Sequence, residues 1–190
     1  MDDVLQPART ARLGGVTGNA RLTSLIGMIL LVLLAVEGAT IPFLGPLRGF
    51  HILVGLLLLG PVAFKLASVG YKMLSYYGHR TAYVRRGPPH MFLRAFVGPL
   101  LVVSTIVMLG SGVALLYAPD SDLIGLAHKA SFILWFGAMT LHFFAHIRRA
   151  SRDTAGDLTE PRTGGRVLRY AAAALAIGLG VVVAVAFGSL

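Results

Sequence analysis

The sequence predicts an all-α integral membrane protein: a four-helix transmembrane bundle with a fifth transmembrane helix packed at its side. Three observations predict it. Hydrophobic residues make up 56% of the 190 residues and charged residues only 13%, about half the charge of a typical soluble domain. Five stretches reach the roughly 20 apolar residues that a spanning helix needs. Lys and Arg gather in alternate connections between those stretches, which is the pattern of a membrane topology signal.

Residues 1–21 read as a cytoplasmic tail. They carry two acids and the arginines Arg9, Arg12 and Arg21. The apolar run behind them is long enough to span, and no small-residue cleavage site ends it, so it is not a simple signal peptide. The rest, 22–190, reads as one transmembrane domain. Its helices are expected at about 22–44, 50–71, 93–117, 124–147 and 167–190. The first connection is a short turn, Gly45-Pro46-Leu47-Arg48-Gly49. The second is longer and basic, with Lys72, Arg80, Arg85, Arg86 and Arg94. The third is short and acidic, built on Pro119, Asp120 and Asp122. The fourth holds Arg148, Arg149, Arg152, Arg162, Arg166 and Arg169.

That distribution puts 14 of the 17 Lys and Arg on one side, with Arg48 alone on the other and Lys65 and Lys129 inside helices. The basic side is cytoplasmic by the positive-inside rule. The N-terminus is then expected in the cytoplasm and the C-terminus outside, in a bacterial-type plasma membrane. Helices two and four run parallel. The net charge of +9 belongs to this topology, so no nucleic-acid partner is inferred. Gly60-Pro61 is expected to kink helix two. Gly110-Ser111-Gly112 and Gly178-Leu179-Gly180 offer small faces for close helix packing.

The chain has no cysteine. Disulfides, thiolate metal sites and cysteine-held iron–sulfur clusters are therefore excluded. Redox work would need a bound cofactor. Ionisable residues inside spanning helices are costly and are functional candidates by default. Here they are Glu37, His51, Lys65, His128, Lys129, His142 and His146. His79 and His90 fall in the basic connection and read as solvated. The stretches Tyr76–Arg80 and Arg85–Pro89 read first as an interfacial anchor and second as a docking site for a flavin, a quinone headgroup or a donor protein.

Spacing is the informative feature. His128 and His142 stand 14 residues apart, as do His51 and Lys65. Fourteen residues are just under four turns and rise about 21 Å, so each pair shares one helix face at two depths. Because helices two and four are parallel, His51 matches His128 in depth and Lys65 matches His142. Two side chains at one depth on facing helices can grip a planar cofactor, and haem is the natural candidate for imidazole in a greasy slot. Gly55 and Gly125, one turn from His51 and His128, are expected to make room for a flat ring. Gly137 lies between the two levels. Arg48 and Lys129 stand near the outer pair and are expected to meet haem propionates.

With these residues, the region 50–147 resembles the core of membrane b-type cytochromes, including the ferric-reductase-like transmembrane domains and the membrane cytochrome subunits of respiratory dehydrogenases. The resemblance implies one or two b haems on paired histidines and electron transfer across the bilayer. His51, His128 and His142 match the expected ligands. Lys65 stands where a fourth histidine is expected. As a neutral amine it would ligate iron; as an ammonium it would hold a propionate or a quinone oxygen, or snorkel to the interface. His146, four residues after His142, is an interfacial histidine or a replacement ligand.

The reading that follows is a haem-binding electron-transfer subunit, in contact with membrane lipid. It needs a partner redox subunit, since no nucleotide-binding domain or glycine-rich fingerprint is present. It is not expected to be a stand-alone enzyme. Two alternatives stay open: a non-redox transporter, proton channel or assembly subunit using Glu37, Lys65 and His142 as a polar path, and a one-haem quinone reductase in which Lys65 holds the quinone.

Overall fold

The computed structural model describes residues 15–78, 91–159 and 165–188. The expectations placed on the tail before residue 15 and on His79, Arg80, Arg85, Arg86, His90 and Arg162 lie outside the described residues. Among the described residues the structure is helical, with no strand. Four stretches are long and apolar enough to cross a membrane: Gly18–Tyr77, Ala95–Tyr117, Asp122–Gly156 and Arg166–Phe187. Large side chains such as Val103, Ile133, Phe144, Val167 and Val185 point outward, the inverse of a soluble fold and the arrangement an integral membrane protein needs against lipid.

Gly18–Tyr77 holds the first two predicted segments and folds back on itself. It consists of α1 (Gly15–Thr40), a 3-10 turn (Ile41–Phe43) and α2 (Leu44–Tyr77). Lys65 of α2 reaches the Thr23 carbonyl of α1, and the Thr23 and Ser68 hydroxyls lie 2.5 Å apart. The turn forms earlier than expected. Pro42 stands in the first turn of the 3-10 segment and cannot donate a continuing α-helical hydrogen bond. Gly45-Pro46-Leu47-Arg48-Gly49, expected as the connection, instead opens α2. A proline is tolerated there because the first N–H groups of a helix have no intrahelical partner.

A π-helical turn, Leu93–Val97, leads into α3 (Gly98–Tyr117). The Gly98 N–H reaches back to the Leu93 carbonyl, and Pro99 behind it lacks a donor, a usual setting for a helix irregularity. α4 runs from Asp122 to Thr159, well past the expected end at 147. Arg148, Arg149 and Arg152 therefore stand on a helix rather than in a connection. Arg149 is 3.8 Å from Asp153 one turn on. α5 spans Arg166–Phe187.

α1 packs on α2 and α4, and α3 on α4, with a lighter contact between α2 and α3. α2 and α4 approach each other through the His51 and His128 rings. α5 lies against α2 and α1. Ile26 and Leu30 of α1, Leu58 of α2 and Ala173 of α5 form a buried cluster where these three meet. The seam between α2 and α5 is built from small residues. Ala173, Ala176, Gly180 and Ala184 are buried along one face of α5. A Cβ added at Gly60 would run into the Ala176 carbonyl and the Gly180 amide, and one at Gly180 into the Leu57 carbonyl. Close approach through small residues is how helices pack in lipid, where apolar burial gives little drive. Of the glycines expected to serve packing, Gly180 does so and Gly178 and Gly110 meet nothing.

Candidate functional site

The α1–α2 and α3–α4 turns lie at one end of the bundle, and His51 and His128 both sit there. Their ring centres are 6.5 Å apart and their planes cross at 89°. Each ring is pinned from behind. His51 Nδ1 lies 2.7 Å from Thr40 Oγ1 and 3.0 Å from Glu37 Oε1. The single Thr40 hydroxyl proton is already donated to the Glu37 carbonyl at 2.6 Å. Toward His51, Thr40 can only accept, which puts a proton on Nδ1 and, in the neutral ring, leaves Nε2 as the nitrogen with a lone pair.

His128 reaches the same state by another route. Its Nδ1 lies 2.9 Å from the Met108 carbonyl of α3, and a carbonyl accepts only. The Ser111 hydroxyl, 3.3 Å from the same nitrogen, donates to Val107 at 2.6 Å. Gly112 makes this approach fit. A Cβ there would stand 3.1 Å from His128 Cε1. Replacing Gly112 with Val is therefore expected to push the His128 ring off its carbonyl while leaving α3 helical. The change would appear as loss of ligand binding at this end with unaltered far-UV circular dichroism. Unchanged binding would show that the Gly112 contact is incidental.

Other expected residues fall in different places. A Cβ at Gly55 would meet Glu37 Oε1 at 3.3 Å, so its small size makes room for Glu37. Gly125 has open space beside it. Together with Lys129 it lines a hollow over Pro119, Asp120 and Asp122, so the Lys129 side chain lies toward the acidic turn. Arg48 stands exposed on the first turns of α2, one turn before His51. Gly137 is exposed on the outside of α4.

The opposite, basic end differs in kind. Lys65 donates to the Thr23 carbonyl and packs against Gly27, where a Cβ would sit 2.9 Å from its Nζ. Its amine is thus directed onto α1. It remains within electrostatic reach of His142. His142 stacks on His146, with ring centres 4.4 Å apart and planes at 17°. His146 Nδ1 donates to the His142 carbonyl at 3.0 Å. Asn19, Thr23 and Ser68 continue the polar cluster, and Ser24 reaches Asp153 at 3.2 Å. The structure therefore brings His51 and His128 together as an imidazole pair, while the Lys65 amine is bonded to α1.

Thr40 is a site residue that the sequence leaves unassigned, and Glu37 enters there only as part of a polar path. Glu37 precedes His51 by 14 residues on a different helix, and only the position of the turn between them makes them neighbours. No family model, no curated protein and no solved structure matches the chain.

Proposed function

We propose that the chain is a haem-binding transmembrane electron-transfer protein of the b-type cytochrome kind, with one haem held between His51 and His128. The carrying observation is the pair of imidazoles, each held from behind through Nδ1, with ring centres 6.5 Å apart. A metal–imidazole bond is about 2 Å long, so two imidazoles on opposite sides of one iron place their ring centres roughly 6 Å apart. A second observation separates haem from zinc. No group of three or more His, Asp or Glu that could hold a metal occurs among the described residues, and zinc takes three or four protein ligands. A haem asks for only two.

Haem, when bound, supplies one-electron chemistry. The chain's own residues do the rest. Thr40, Glu37 and the Met108 carbonyl fix the two rings. The apolar helices exclude water. Arg48, exposed near this end, is available to a propionate. In this reading both arms of Gly18–Tyr77 cross the bilayer, giving five crossings, with the basic end and the N-terminus cytoplasmic by the positive-inside rule. Electrons pass between a donor in or at the membrane, with quinol as one candidate, and a partner redox subunit.

One observation favours the alternative of a non-redox polar path: the hydrogen-bonded run through Asn19, Ser68, Thr23 and Lys65. Among the described residues that run does not reach Glu37, which bonds instead at the other end of the bundle. A reduced-minus-oxidised visible spectrum of the purified chain, with haem counted against protein, tests the proposal. One haem per chain with sharp b-type bands is expected. Proton flux through a colourless chain in liposomes would support the alternative.

A further inference from the structure

We propose that Glu37 is a positioning residue that sets the redox balance of the site through His51, making the two axial histidines electronically unequal. The inference rests on the haem reading above. His128 is backed by a neutral backbone carbonyl at 2.9 Å. His51 is backed by a hydroxyl at 2.7 Å and, in addition, by a carboxyl oxygen at 3.0 Å. The Glu37 side chain is only 14% exposed, and Gly55 leaves it the space to lie beside the ring. Its second oxygen, Oε2, is buried and has no hydrogen-bond partner. Nothing among the described residues draws the carboxyl away from His51.

An acceptor of this kind behind a metal-bound imidazole makes the ligand more basic and holds its orientation. A carboxylate does so more strongly than a neutral acceptor. A more basic axial ligand favours the oxidised, more positive iron, and axial ligand and hydrogen bonding are among the levers a protein has on haem potential. Thr40 already fixes the tautomer of His51. The contribution left to Glu37 is the electron density on Nε2.

The test is redox titration of the full chain with haem bound, comparing the parent with Glu37→Gln and Glu37→Asp. Gln keeps an acceptor oxygen but cannot become a carboxylate, and Thr40 still holds the ring, so haem is expected to stay. At one fixed ambient potential near the midpoint, the ratio of reduced to oxidised haem is expected to rise about tenfold in E37Q, a shift of about 59 mV for one electron. E37D is expected to fall between E37Q and the parent. If E37Q keeps its haem and titrates with the parent, Glu37 merely packs, and the inference is overturned while the haem reading stands. If E37Q loses haem, affinity becomes the readout. Tighter binding by E37D than by E37Q upholds the inference, and equal binding overturns it. A parent that takes up no haem overturns the haem reading and this inference with it.

Discussion

Replacing His51 or His128 with Ala is expected to empty the site, while replacing His142 or His146 leaves it filled. Haem per chain should fall at least tenfold in H51A and in H128A. Losing an outer hydrogen-bond partner of a metal ligand already costs 10–100-fold in affinity, and here the ligand itself goes. The two variants should behave alike because each ring is fixed independently, His51 from α1 and His128 from α3. Removing one ring leaves the other in place but with only one bond to offer. H142A and H146A should keep the b-type spectrum, since those rings stack on each other at the basic end. Pyridine haemochrome assays on the four variants decide the matter. Full haem in H51A would move the site elsewhere. Loss in H142A would bring back a second haem level.

The second large effect lies away from the site, in the α2–α5 seam. Gly60→Leu or Gly180→Leu must drive the helices apart, because each new side chain would begin inside backbone of the opposite helix. Overpacking of this kind typically costs about 1–3 kcal/mol, and a backbone obstacle cannot rotate aside as a side chain can. A thermal-unfolding midpoint lowered by several degrees in detergent is expected. The double variant should cost less than the two singles together, since one separation relieves both clashes. Gly178→Leu is the control: it meets nothing and should unfold with the parent. Equal midpoints for all three would mean that α5 is not held by this seam. His51 lies on the same helix as Gly60, nine residues earlier, so the seam also bears on where α2 carries its ligand.

Much of this arrangement is legible in the sequence. Apolar length alone places the long helices, and the parallel run of the second and fourth, read from the basic connections, brings His51 and His128 to one end. Three things are not legible. Helix ends are one, because a polar segment such as 148–159 continues a helix as readily as it leaves one, and Pro42 competes with Gly45–Gly49 for the turn. The direction of a long side chain is another. Lys65 has the right depth for His142, yet its flexible stem carries the amine to a carbonyl on α1. The third is support from a distant helix. Glu37, Thr40 and Gly112 act by contact across helices, and no periodicity within one helix reports that. Gly55 illustrates the same limit: the space it leaves is taken by Glu37, a residue of another helix.

The most direct test of the central claim is electron paramagnetic resonance of the ferric protein carrying ¹⁵N-labelled histidine, with hyperfine coupling resolved at the iron. The claim is that one iron is held by two histidines, His51 and His128. It predicts a single low-spin signal coupled to two histidine nitrogens, and that signal should be lost with the haem in H51A and in H128A. A high-spin signal in the parent, coupling to one histidine only, or no iron signal in a chain supplied with ample haem would contradict it.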